Sequence, residues 1–191
     1  GRSAGTLSYR LQDVDTVETL IDNYSFTGST LAQAEYSNHR LLYLTPTLSQ
    51  DLHISGMPSI QIKLASSKPA ANLSVWLVSL PWNKNTRRKK AKITDNIITR
   101  GWADPQNHES LTESEPLTPG KFYEFSFTLQ PDDQIIKAGQ QIGLMIFSSD
   151  REFTLWPDPG TELSIDLNAT KLTLPIVGGK DALVKAMKKS K

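Results

Sequence analysis

Along this chain apolar side chains recur at every second position far more often than at helical spacing, the pattern of half-buried β-strands. Lys121–Leu129 (KFYEFSFTL) puts Tyr123, Phe125, Phe127 and Leu129 on one face and Glu124, Ser126 and Thr128 on the other. Leu52–Leu64 (LHISGMPSIQIKL) alternates through Leu52 and Ile54, then through Ile60, Ile62 and Leu64. Gly56 and Pro58 between these runs predict a kink or bulge rather than one straight strand. Leu73–Leu80 (LSVWLVSL) and Gln141–Ser148 (QIGLMIFS) are apolar on both faces, as central strands are, and Lys137-Ala138-Gly139-Gln140 reads as the turn before the second. Glu162–Leu167 and Lys171–Ile176 predict a hairpin across Asn168-Ala169-Thr170.

Short strands separated by Pro, Gly, Asn and Asp turns define the fold class: all-β, an antiparallel β-sandwich of jelly-roll style. Helical patterning is confined to the ends. Asp181–Lys189 (DALVKAMKK) fits a short basic amphipathic helix, but a segment of that length is a weak helix by itself and a solvated tail is the favoured reading. Asp13–Ile21 fits a helical turn or a strand equally well. With no internal repeat and no boundary, residues 1–191 form a single domain, with 180–191 as a flexible or short helical basic tail.

Composition narrows the function classes. A length of 191 residues suffices for one full core, and 38% hydrophobic with 21% charged residues describes a soluble globular chain. The net charge of +1 creates no field toward nucleic acid or anionic lipid. The absence of cysteine excludes disulfides, thiolate metal sites and thiol nucleophiles. No apolar run reaches membrane-spanning length. The abrupt start, without a signal pattern, suggests a fragment or a processed chain.

The chemical motifs weigh against catalysis. Gly1–Gly5 (GRSAG) matches the G-x-S-x-G pattern of serine hydrolases, but that motif works by a strand delivering the serine to a strained turn before a helix. Here no strand precedes it and no helix start follows, so Ser3 reads as a linker serine. His39, His53 and His108 are scattered and lack metal-ligand spacing. Asp104, Asp132, Asp133 and Asp150 are oxygen donors suited to calcium, but no spacing specifies a site, and acidic turn residues explain them better. The basic run Thr86–Lys92, with Arg87–Lys90 at its centre, has no interleaved aromatic and reads as a solvated loop rather than a nucleic-acid surface. Sequons at Asn23, Asn72 and Asn168 matter only in a glycosylating secretory pathway.

Trp76 lies inside an apolar strand and reads as core. Trp82, Trp102 and Trp156 adjoin prolines or loops, and there they fit a domain interface or a sugar-stacking surface. The stretch Ile98–His108 (ITRGWADPQNH) reads as a strand with Ile98 and Arg100 on one face and Thr99 on the other. Gly101 would then permit a bend, with Trp102 and Asp104-Pro105 beginning the loop. Arg100, Trp102, Trp82 and Trp156 are the candidate interface or binding residues, with no catalytic and no metal-ligating residue assigned.

Three blocks in fixed order, His39–Leu80, Ile98–Pro105 and Glu115–Asp150, carry a resemblance to the C-terminal domain of bacterial Xaa-Pro dipeptidyl-peptidases and the related cocaine-esterase-like serine hydrolases. The resemblance implies a galactose-binding-like jelly roll that follows an α/β-hydrolase domain bearing a Ser-His-Asp triad. None of the triad motifs lies in this chain, so the resemblance implies a non-catalytic accessory domain. It would pack against the α/β-hydrolase domain of the same polypeptide and help shape the active-site entrance. It implies no cofactor, no nucleic-acid or membrane partner and a parent enzyme that can form homo-oligomers. The compartment stays open between the bacterial cytoplasm and a secreted or envelope location, and a carbohydrate- or surface-binding module of a secreted hydrolase is the alternative.

Overall fold

The computed structural model describes residues 2–10, 16–82, 96–157 and 159–188. A five-stranded sheet has the order β1 (Gly5–Thr6), β3 (Leu41–Leu44), β10 (Gln141–Phe147), β6 (Leu73–Leu80) and β7 (Ile97–Ala103). A four-stranded sheet has the order β2 (Val17–Ile21), β11 (Glu162–Thr173), β5 (Ser59–Ser66) and β8 (Phe122–Thr128). The strands β4 (Leu52–Gly56) and β9 (Asp132–Ile136) pair separately. Every pairing is antiparallel except β1 with β3. The all-β sandwich follows from the period-two pattern. Among the described residues no helix is long and apolar enough to cross a membrane.

Alternation decides what each face meets. Val75, Leu77, Ile142, Leu144 and Ile146 of the larger sheet join Ile60, Ile62, Leu64, Leu163 and Ile165 of the smaller one in the main core. Burying each contributes roughly 2 kcal/mol. The other face of β6 and β10 carries Trp76, Val78, Met145 and Phe147, and a second core forms there against Leu31 and Ala32 of α1 (Gly28–Gln33). Thr27 caps that helix, its Oγ1 accepting from the Thr30 amide at 3.2 Å. Gly28 is required by closeness, because a Cβ there would stand 2.3 Å from the Trp76 ring. Arg40, fully buried, donates to the carbonyls of Ala34 (2.7 Å), Leu31 (3.4 Å) and Arg2 (3.1 Å), so it ties the helix end to the first residues of the chain. Burial lowers its pKa from the usual arginine value.

Four local expectations are corrected. Gly56, at φ +130°, marks a change of sheet rather than a kink, since β4 pairs with β9 while β5 pairs with β11 and β8. Asn168-Ala169-Thr170 is not a hairpin turn but a bulge inside one twelve-residue strand, β11. The Asp166 carboxylate accepts from the amides of Asn168 and Ala169, and the Thr170 hydroxyl donates to the Asp166 carbonyl. These local bonds absorb the extra residues, and pairing with β5 resumes at Lys171 opposite Gln61.

The C-terminal segment is a docked helix rather than a solvated tail. α2 (Gly179–Ala186) buries Ala186, packs Ala182, Leu183 and Met187 against the main core, and its Ala186 carbonyl accepts from the Ser49 amide at 2.8 Å. Tertiary packing overrides weak intrinsic helicity here. Finally, Ile98 and Arg100 do not share a face. A bulge at Ile98 in β7, opposite the Leu77–Val78 step of β6, lets Ile98 enter the main core while Arg100 pairs with Trp76 on the outer face, and β7 continues through Trp102 to Ala103. The segment left open between turn and strand is the strand β2 over Val17–Ile21, and residues 11–15 lie outside the described residues.

Candidate functional site

At the end of the sandwich where β10 stops, the chain runs directly from buried Phe147 into Ser148, Ser149 and Asp150, all buried. Buried polar groups need partners, and each of these has them. Ser148 donates to the Asn72 carbonyl (2.9 Å) and its own carbonyl accepts from Ser74 Oγ (2.7 Å). Ser149 donates through its amide and hydroxyl to the two carboxylate oxygens of buried Asp22, both at 2.8 Å. Asp150 Oδ2 accepts the indole N–H of Trp76 at 2.9 Å and of Trp102 at 3.0 Å. Burial pushes the Asp150 carboxyl up from the ordinary aspartate value, against the Trp102, Glu152 and Trp76 hydrogen bonds and the Arg100 charge that pull it down.

Asp150 also shapes the following loop. Its carbonyl accepts from the amides of Phe153 (3.0 Å) and Thr154 (2.9 Å), while its own amide donates to Thr154 Oγ1 at 2.9 Å. Asn72 Nδ2 clamps the far side, donating to the Leu155 carbonyl at 2.9 Å. Phe153 is thereby laid against Trp102, ring centroids 5.0 Å apart. The Arg100 guanidinium lies 4.3 Å from the Phe153 centroid, 5.4 Å from that of Trp76 and 5.8 Å from that of Trp102. It makes no hydrogen bond or ion pair among the described residues. Cations on aromatic faces are held by the ring quadrupole and keep their N–H donors available at the edge.

Two of the four candidate residues, Arg100 and Trp102, thus share one cluster, and Trp156 joins its rim. Trp156 stacks on Tyr24 (5.4 Å, interplanar angle 1°) and donates to the Arg151 carbonyl at 2.9 Å. Trp82 sits at the opposite end of β6, half-buried against the second core. A sugar-gripping face would need two of Trp82, Trp102 and Trp156 exposed together. Trp102 is half-buried with its N–H committed, Trp82 is half-buried elsewhere, and Trp156 alone of the three is exposed, so the carbohydrate-module reading finds no support.

Other candidate chemistry resolves into ordinary roles. Ser3 is exposed and hydrogen-bonded to no histidine among the described residues. His39 Nδ1 contacts the Ile21 carbonyl, His53 pairs with Asp133, and His108 packs edge-on against Tyr123. Asp133 is held below the ordinary aspartate value by His53 and Ser55. Asp104 caps the short 3-10 turn Pro105–Asn107. No three His, Asp or Glu gather as a metal centre among the described residues. The basic run Thr86–Lys92 lies within residues 83–95, outside the described residues. A groove of about 840 Å³ opens at another edge, between Leu7, Tyr43, Leu172, Leu174, Leu183 and Met187. Sequence reasoning missed Phe153 and the role of Asp150, although one signal was visible: a charged residue three positions after the apolar run that ends β10.

Fold and site together define a class, a domain of β-sandwich type with a packed polar hub and no catalytic constellation among its described residues. The chain belongs to the family described as the X-Pro dipeptidyl-peptidase C-terminal non-catalytic domain, whose profile matches residues 3–185. It is 67% identical over 162 residues to a protein of Rhodopirellula baltica, covering 85% of this chain and 25% of that protein. It is 36% identical over 177 residues to one of Bacillus anthracis, covering 91% and 28%. Both relatives carry the name "Putative Xaa-Pro dipeptidyl-peptidase". The chain thus spans about a quarter of the curated relatives' length. Among solved structures, an aminopeptidase from a marine sediment Thaumarchaeota archaeon shares the fold with a TM-score of 0.68 at 14% identity, covering 92% of this chain and 36% of that one. A CocE/NonD family hydrolase of Staphylococcus aureus does so with a TM-score of 0.60 at 10% identity, covering 91% and 36%.

Proposed function

We propose that this chain is the accessory domain of a serine-type Xaa-Pro dipeptidyl-peptidase, packing against the α/β-hydrolase domain of the same polypeptide and helping to wall its active-site entrance. The observation that carries the reading is the family match across residues 3–185, with the match covering only 25% of a relative's length. The triad, the oxyanion hole and the Xaa-Pro specificity belong to the remaining part, and the contribution of this domain is positional. A rigid sandwich laid beside a hydrolase sheet restricts which substrates reach the nucleophile without touching the reacting atoms.

Co-expression with the separately encoded hydrolase region tests this. Co-elution on gel filtration with raised turnover of an Ala-Pro chromogenic substrate is the expected result. Separate elution with turnover unchanged sinks the reading.

A further inference from the structure

We propose that the end of the sandwich carrying Arg100, Phe153, Leu155 and Trp156 is the face on which the catalytic domain seats, with Arg100 taking a carboxylate or carbonyl of that domain. This rests on the packing role proposed above and assigns it a surface.

Three large hydrophobics within four residues are exposed here: Phe153 by 50%, Leu155 by 87% and Trp156 by 57%. They are not a slack loop. Asp150, Asn72 and Tyr24 pin the segment through the bonds and stacking already described, so the apolar side chains are presented on fixed backbone. A partner burying them loses little conformational entropy, which is what separates an anchor from a mobile tip. Of the other exposed hydrophobics, Leu111 stands alone on its segment, and Met57 and Val177 lie elsewhere, beside β4, with no aromatic or guanidinium packed on them among the described residues.

Arg100 supplies the polar element. The Asp150 carboxylate, which feels the Arg100 charge, already accepts from two indoles at Oδ2, and the donors of Arg100 are unused among the described residues. A guanidinium seated on aromatic rings beside exposed Trp and Phe is the residue combination that dominates interface energetics. Its fixed fork of donors suits a carboxylate or paired carbonyls.

The occupant follows from connectivity. The family is a C-terminal one, so the catalytic part joins through the N-terminal residues. Arg2 pairs with Ser37 and its carbonyl is held by buried Arg40. Two residues beyond Ser37, His39 stacks on Phe26 at 5.1 Å, and Arg151 of the apolar loop reaches the neighbouring Ser25 carbonyl at 3.2 Å. The first residues of the domain therefore enter at the same end of the sandwich as this face, on the β1 edge of the larger sheet.

The test uses the full-length polypeptide and exploits the absence of cysteine from this chain. Leu155→Cys, Leu111→Cys, Met57→Cys and Leu174→Cys are made singly, and maleimide labelling of each is timed by peptide mass spectrometry. Leu155, Leu111 and Met57 are exposed, so those changes leave the fold intact, while Leu174→Cys reports on the groove. We expect Leu155→Cys to label at least about tenfold more slowly than Leu111→Cys, as a site that must open first does. Adding Arg100→Gln should return at least about tenfold of that protection. Fast labelling at Leu155→Cys with protection at another position overturns this face but leaves the packing role standing. Fast labelling at all exposed positions defeats both. Protection that disappears on dilution assigns the face to a second copy of the chain and overturns the proposal.

Discussion

The strands β6 and β10 have two faces built on different terms. Toward the main core they present Leu73, Val75, Leu77, Ile142, Leu144 and Ile146, which ask only for volume to be filled. Toward α1 and the β10 end they present Ser74, Trp76 and Phe147, and there the packing includes N–H and O–H groups that must each find a partner. The first face tolerates exchange of one aliphatic shape for another. The second is specified by direction, because an indole N–H is satisfied only by an acceptor in one place. Directional demand also fixes the loop outside it, which is why the exposed aromatic residues appear on this side of the sheet.

The contrast can be broken most severely at Asp150. Asp150→Leu keeps the site filled but strands the buried indole donor of Trp76 and the half-buried one of Trp102, and urea unfolding should show a loss of about 4 kcal/mol. Gly28→Ala, which drives a methyl into the Trp76 ring, should cost about 2 kcal/mol in the same measurement, with reduced near-ultraviolet dichroism from the displaced indole. On the aliphatic face Leu77→Ile, with volume conserved, should cost only about 1 kcal/mol. A loss at Leu77 as large as that at Asp150 would erase the distinction.

The smallest effect expected is a pH dependence. Burial raises the Asp150 pKa in the folded state above its unfolded value, so the folded state takes up this proton first as pH falls. The carboxyl's contribution to stability is then complete below the unfolded pKa and is lost as pH rises through the folded one. Unfolding free energies of the native chain and of Asp150→Asn, compared from pH 7 downward, should shift in favour of the native chain as the solution becomes acidic. A shift of the opposite sign would mean that the hydrogen bonds and Arg100 outweigh burial.

Much of the architecture was legible because burial imposes a period on the chain. The runs at Lys121–Leu129, Leu73–Leu80 and Gln141–Ser148 could satisfy their apolar faces only as strands, and they are β8, β6 and β10. The misreadings fell where a local bond competed with the pattern. Asn168-Ala169-Thr170 has the composition of a turn, but the Asp166 side chain satisfies its amides within a continuing strand. The segment from Gly179 has too few residues to hold a helix alone and does so because Ser49 and the core supply what helicity lacks.

Of the candidate site, Arg100, Trp102 and Trp156 were visible as residue types without a place, and Trp82 was grouped with residues from which the length of β6 separates it. The sequence by itself determined that alternate side chains would be buried and that β6 and β10 would lie centrally. Those are properties of composition and of a period of two. Only the tertiary structure decided that a bulge opposite Leu77 sends Ile98 inward and Arg100 outward, and that Trp76 and Trp102, on neighbouring strands, share one carboxylate. The reason is that register and hydrogen-bond direction are set between segments far apart in the chain, where no local pattern carries them.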